Sequence, residues 1–517
     1  MAEHDARELR EELRRRRASV LDAARAEAIE RQHKLGKLSA RERIAYLVDE
    51  GRFREFGALV DAARNPQGDQ LEAPADGVVT GIGDIDGRPT VIMSFDFTVF
   101  GGSNGVTGGH KVARCCDYAL HNGLPVVMLL DGGGHRIQEG LDSHHFAHGF
   151  TVFHQMVDLS GYVPVVAVMM GPGFAGPSNF AALADFVVMV RGMSTMGIAG
   201  PALVRAATGE RLSNEELGGA DLQAQLGVTD LAVDTEHEAL DAVRVFLGYV
   251  PSNADQEPPT DKPYEPRDGS PGALVPADTS QAYDVREVIE SIADSDTVFE
   301  IKPEHAPNVV TSFVRLGGKP VGVVANQPMH LGGALDSPAC EKAAHFISVC
   351  DAFGIPLLFL VDVPGFLVGM ESTTTQLARR SGRLLFELGQ ATVPRFSVVL
   401  RKGYGAAYIA MAGGRSFDAD LAVAWPTAEI CAMSVEGAVD VAYRREVAAA
   451  EDPEAHRAEL VAGFKSQIGA FYAAQGFGID NVIDPDESRR VLLEALALAP
   501  RRKKPRAPAK RHGISPI

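Results

Sequence analysis

The stretch Val163-Pro-Val-Val-Ala-Val-Met-Met-Gly-Pro-Gly-Phe-Ala-Gly-Pro-Ser-Asn-Phe180 decides the fold of this chain. After Pro164 comes an apolar, β-branched run, the pattern of a strand buried on both faces. It breaks into small residues, Gly171 to Gly176, which let the backbone come close to a ligand. The Ala-rich continuation reads as a helix. A strand, a tight turn and a helix start aim backbone N–H groups at one point. That suits a developing negative charge such as an enolate oxygen. A second copy, Val393-Pro-Arg-Phe-Ser-Val-Val-Leu-Arg-Lys-Gly-Tyr-Gly-Ala-Ala-Tyr408, predicts a second such site.

The copies belong to a longer repeat. Gly87-Arg-Pro matches Gly318-Lys-Pro, Gly102-Ser matches Gly333-Ala, and Lys111, Pro125 and Asp131 match Lys342, Pro356 and Asp362, each 231 residues apart. Pro164 and Pro394 are separated by 230. A constant separation over such a span implies two similar domains. Their bounds are read as 1–258 and 267–517, joined through the Pro-rich, polar stretch Pro251–Pro266. Within each repeat the order is a hairpin (Asp86-Gly87 in the first), a helix to Leu120, a strand Leu124–Leu130, a glycine-rich turn from Asp131, then the opening stretch. Strands alternating with helices predict α/β units with the ligand at the strand ends.

With 517 residues, 45% hydrophobic and 23% charged, the chain is long enough for several well-cored domains. A formal net charge of −18 argues against a nucleic-acid partner. The five cysteines form no Cys-x-x-Cys pair, so neither a zinc ribbon nor a disulfide framework is indicated. Residues 3–50 read as charged helices, with a capping box at Ser39 and Glu42. Neither a signal peptide nor a membrane-length apolar run is visible, so cytoplasmic residence is expected.

Specific motifs go further. Phe97-Thr-Val-Phe-Gly-Gly-Ser103, Gly133-Gly-His-Arg-Ile-Gln-Glu-Gly140, Glu216-Leu-Gly-Gly-Ala220, Val361-Asp-Val-Pro-Gly-Phe366, Arg401-Lys-Gly-Tyr-Gly405, Ala424-Trp-Pro-Thr427 and Arg511-His-Gly-Ile-Ser-Pro-Ile517 resemble the biotin-dependent acyl-CoA carboxylases. The resemblance is to their carboxyltransferase β subunit, of the propionyl-, acetyl- and methylcrotonyl-CoA type. It implies two tandem crotonase-like β-β-α superhelix domains. It also implies transfer of a carboxyl group from carboxybiotin to the α-carbon of an acyl-CoA, through a thioester enolate.

By that resemblance the first oxyanion hole is formed by the backbone N–H groups of Ala175 and Gly176, and the second by those of Ala406 and Ala407. Coenzyme A is expected near Gly101, Gly102, Gly133, Gly134 and Arg136, and biotin near Gly365, Phe366, Tyr404 and Gly405. No ATP-grasp-like region and no Met-Lys-Met biotinylation site is present. A partner α subunit with biotin carboxylase and biotin carrier is therefore implied, as is a homohexamer of three stacked dimers.

This chain departs from the family pattern at Ala175, Ala406, His135 and Gln223. The departures bear on the acyl group more than on the reaction class. An acyl-CoA decarboxylase, a transcarboxylase and a crotonase-like hydrolase without biotin are the alternative readings. The Arg401-Lys-Gly-Tyr motif weighs against the last. His144 and His148, beside His145, have a metal-chelating spacing, but no carboxylate signature completes it, and no metal is expected in this chain. Lys111 and Lys342 read as helix-surface or packing residues. The basic run 501–511 reads as a solvated C-terminal strap.

Overall fold

Asp86 and Gly87 both take positive φ, 50° and 76°, as a two-residue type I′ turn requires. They join two strands of a first unit, Met1–Glu257; a second unit spans Pro258–Ile517. In this computed structural model the described residues are 2–63, 72–141, 143–147, 151–504 and 513–516. The first unit holds strands β1 (Arg54–Phe56), β2 (Val78–Ile85), β3 (Arg88–Phe95), β4 (Val126–Leu130), β5 (Val165–Met169), β6 (Pro172–Phe174), β7 (Phe186–Val190), β8 (Thr195–Gly197) and β9 (Leu231–Val233). Seven make one sheet in the order β1-β2-β3-β4-β5-β7-β9, while β6 pairs with β8. The first three run antiparallel and the rest parallel.

The second unit repeats this plan with β10 (Phe299–Ile301), β11 (Val309–Leu316), β12 (Lys319–Asn326), β13 (Leu357–Val363), β14 (Arg395–Tyr404), β15 (Leu421–Ala424), β16 (Glu429–Cys431) and β17 (Asn481–Val482). The order is β10-β11-β12-β13-β14-β15-β17, with β16 pairing β14. Every residue of β4, β5, β7, β13 and β14 is buried, which is why β4, β5 and β7 read as unbroken apolar runs; β13 and β14 also bury polar residues, among them Asp362 and Arg401. One face of these strands contributes to a core around Val126, Val165 and Val187 in the first unit and around Leu358, Val398 and Trp425 in the second.

Two element bounds differ from the sequence reading. The helix expected to stop at Leu120 spans Val106–Asn122, and the strand expected from Leu124 begins at Val126. Left-handed Gly123 closes the helix, and the Leu124 N–H turns back to the Ala119 carbonyl at 3.0 Å, so it is not free for the ladder. The capping box at Ser39 forms in both directions, with Glu42 accepting the Ser39 N–H at 2.8 Å. Lys111 and Lys342 are packing residues of a particular kind. Both are buried, and each Nζ donates to two backbone carbonyls near the start of the hairpin: Ala75 and Val78 for Lys111, His305 and Val309 for Lys342. Of the basic C-terminal run, Arg502 donates to the Asp351 and Ala352 carbonyls and Lys503 pairs with Asp420. Residues 505–512 lie outside the described residues, among them Arg511 and His512 of the terminal motif. Among the described residues no helix is long and apolar enough to cross a membrane.

Candidate active site

In the first unit three loops meet where the parallel strands end. After β3, Gly101 and Gly102 take positive φ, 62° and 67°. A Cβ on Gly102 would lie 1.9 Å from the Asp131 carbonyl oxygen, so only glycine permits this approach. After β4, the Gly133 N–H donates to the Gly101 carbonyl at 3.0 Å and the Gly132 N–H to Pro172 at 2.9 Å. After β5, the chain turns through Gly171, where any Cβ would strike the Asp131 carboxylate at 2.0 Å. The loops around Gly101, Gly133, Gly134, Ala175 and Gly176 are thus brought together.

Ala175 sits at φ 60° and ψ −112°, ahead of the short helix Gly176–Ala181. Its N–H is committed to the Gly197 carbonyl at 2.9 Å, because β6 and β8 pair in parallel there. The sequence reading assigned this N–H, with that of Gly176, to the first oxyanion hole; here it donates within the β6–β8 pair. Pro177, next in line, has no N–H. The Gly176 N–H has no partner among the described residues. Gln223 stands behind this turn: its amide nitrogen donates to the Met196 carbonyl at 2.7 Å, pinning β8.

Arg136 does not lie open to a phosphate. It is 1% exposed, and its guanidinium reaches Asp76 at 2.6 Å and Glu139 at 2.7 Å. Its charge is met inside the protein, and it anchors the glycine-rich turn. His135, beside it, is half-buried with its ring edge-on to Phe146, and burial holds its pKa below the ordinary value. His148 lies outside the described residues.

Asp131 itself is fully buried between Lys37 at 2.6 Å and Arg43 at 2.8 Å. The repeat-equivalent Asp362 is likewise fully buried, against Arg401 at 2.9 Å and Lys402 at 3.3 Å. Sequence reasoning missed Lys37 and Arg43. The signal was a buried carboxylate in the first copy whose cation, present in the second copy at Arg401, is replaced by Gly171.

In the second unit the same three loops converge. Leu335 bridges to Phe366, and its N–H donates to the Gly365 carbonyl at 3.1 Å. Gly365 and Gly405 take φ 140° and 65°. Gly405 opens the short helix Gly405–Ala410, placing Ala406 exposed and Ala407 buried at its first turn. Tyr404 is buried, and its hydroxyl donates to Glu429. Burial, then that carboxylate, pushes its pKa upward. Arg401 is fully buried and also donates to the carbonyls of Pro276, Asp278 and Gln281. It braces this site rather than facing a ligand.

The carboxyl transferase domain family matches residues 31–515. The chain belongs to the carboxyl transferase family. Among curated relatives, this carboxyltransferase is 40% identical to the propionyl-CoA carboxylase carboxyltransferase subunit of Haloferax mediterranei, over 98% of this chain and 99% of that one. It is 41% identical to the methylmalonyl-CoA carboxyltransferase 12S subunit of Propionibacterium freudenreichii subsp. shermanii, over 96% and 95%. A crystal structure of a transcarboxylase 12S hexamer, with methylmalonyl-CoA and methylmalonic acid bound, superimposes with a TM-score of 0.91 at 40% identity, covering 98% of both chains. Both units of the carboxyltransferase have the crotonase-like fold of these neighbours.

Proposed function

We propose that this carboxyltransferase moves the carboxyl group of carboxybiotin to the α-carbon of a short acyl-CoA, propionyl-CoA first among those to test. Membership of the family along nearly the whole chain carries this reading. Bound carboxybiotin supplies CO₂ and, once decarboxylated, the base that removes the α-proton of the thioester. The chain's task is to hold the two reactants and the charge that moves between them. In the first unit the uncommitted Gly176 N–H is assigned to the enolate oxygen; one such donor is worth roughly 10²–10³ in rate. The turns at Gly101 and Gly133, with open space beside their α-carbons, give a ligand close approach to the backbone; together with Gly102 and Gly134 they are assigned to the CoA thioester. In the second unit Ala406 and Ala407, at the start of their helix, are assigned to the ureido oxygen. The open backbone at Gly365 and the half-buried Phe366 ring fit a flat bicyclic ligand, with Tyr404 and Gly405 assigned to the same site. The partner is a biotin-bearing α subunit, and the assembly a hexamer like the transcarboxylase 12S core.

The purified chain tests this reading by itself, run backwards. With methylmalonyl-CoA and the soluble biotin derivative biocytin, propionyl-CoA is expected, formed only when biocytin is present. No carboxyl transfer from any of malonyl-, methylmalonyl- or ethylmalonyl-CoA sinks the proposal. Biotin-independent release of CO₂ turns it toward a decarboxylase.

A further inference from the structure

The substrate side of the first unit is short of donors. The Ala175 N–H is spent on Gly197, Pro177 has none, and the Gly176 N–H remains. A side chain stands next to it. A Cβ built on Gly176 would lie 2.9 Å from the Asn104 amide nitrogen, its nearest neighbour, ahead of Gly134 Cα at 3.9 Å. We infer that the Asn104 side-chain amide is a catalytic donor in this site, sharing the thioester oxygen with the Gly176 N–H. The inference rests on the carboxyltransferase reading above.

Two features support it. The Asn104 backbone is fixed on both sides: its N–H donates to the Gly134 carbonyl and its carbonyl accepts the Arg136 N–H, each at 2.9 Å. Buried Arg136 in turn is held by Asp76 and Glu139. The Asn104 side chain, by contrast, makes no hydrogen bond among the described residues and is only half-buried. A rigid backbone carrying an uncommitted amide is a pre-organised donor, and an amide without an internal partner can turn its NH₂ toward an anion.

The step balances without further reactants. The N–CO₂⁻ bond of carboxybiotin breaks to give CO₂ and a ureido anion. That nitrogen takes the α-proton. The C–H electron pair becomes the enolate, whose oxygen charge Asn104 and Gly176 share. The α-carbon then bonds CO₂, and the charge leaves as the new carboxylate.

The test uses the full chain in the methylmalonyl-CoA and biocytin reaction, with Asn104→Ala, Asn104→Leu and Gly176→Pro. Both Asn104 variants are expected to lose about 10²-fold in kcat with KM for the CoA ester changed by less than about threefold, at an unchanged melting temperature. A propyl-CoA thioether, which lacks the carbonyl, is expected to bind the variants and the parent alike. If Gly176→Pro is inactive while both Asn104 variants keep kcat within about threefold, Asn104 is no donor and the carboxyltransferase reading stands. A loss of kcat that tracks a fall in melting temperature in both, or weaker thioether binding, makes Asn104 a scaffold residue and overturns the inference. An inactive parent chain rejects the function itself, whatever Asn104 does.

Discussion

Ala175 shows how one residue reports on the site. At φ 60° and ψ −112° a Cβ is strained, at a cost of roughly 1–3 kcal/mol, and the repeat-equivalent position is Gly405, at φ 65°. Replacing Ala175 with glycine relieves that strain, offset in part by roughly 0.5–1 kcal/mol of backbone entropy. Ala175→Gly is therefore expected to stabilise the protein by about 1 kcal/mol, read as a raised calorimetric midpoint. A lowered midpoint would mean that the Ala175 methyl, which lies 3.0 Å from where a Cβ on Gly134 would be, is a needed contact. Gly176 separates two effects. Gly176→Pro deletes the donor and is expected to cut turnover roughly 10²–10³-fold with circular dichroism unchanged. Gly176→Ala keeps the N–H but crowds Asn104, so its loss is expected to be smaller. Equal losses from the two would show that crowding, not the hydrogen bond, is what the site resists.

At the scale of elements, each unit buries one carboxylate where its central parallel strand ends. The cation comes from a different place in each. In the second unit Arg401 lies on β14 itself, and β14 runs unbroken for ten residues to Tyr404. In the first, Gly171 makes room for Lys37 and Arg43 from the N-terminal segment, and the strand is split into β5 and β6. Removing one partner of a buried pair typically costs about 3–5 kcal/mol. Arg401→Met is expected to destabilise the second unit by that much, and Asp362→Leu added to it to restore part of the loss. Trp425 is the one tryptophan and is buried in that unit, so its fluorescence during urea unfolding measures the effect. Full stability in Arg401→Met would deny that the pair is closed. The paired lysines set a pH dependence. Burial lowers Lys342 to about 7 and Lys111 to about 8, against about 10.4 unfolded. Between pH 7 and 10 the unfolded chain therefore holds more protons, and stability rises with pH. By Trp425 fluorescence, the stability of the parent relative to Lys342→Met is expected to grow between pH 7 and 9, by at most about 2.7 kcal/mol. A difference that shrinks over that range would contradict the burial-driven shift.

For the molecule as a whole, the repeat and the α/β class were legible because parallel, doubly buried strands leave unbroken apolar runs and glycine is obligatory at the close approaches, as at Gly102. Donor accounting was not legible. That Ala175 spends its N–H on Gly197 depends on β6–β8 pairing, and that Arg136 is sealed by Asp76 depends on a contact across 60 residues of sequence. Backbone commitments and long-range ion pairs leave no periodicity to read. What the repeat does imply is one donor set per unit, while carboxyl transfer needs a thioester and biotin at one place. We expect the first unit of one copy to work with the second unit of another, since twofold pairing of identical chains can bring unlike halves together. Co-expression of two inactive chains, Gly176→Pro and Ala407→Pro, decides it. In a shared-site dimer each mixed pair has one site with both halves intact and one with both halves altered. Random pairing makes about half of the dimers mixed, so roughly a quarter of parental activity is expected to return. If each site lies within a single chain, every site carries a lesion and no activity returns, even with mixed dimers demonstrated by mass spectrometry.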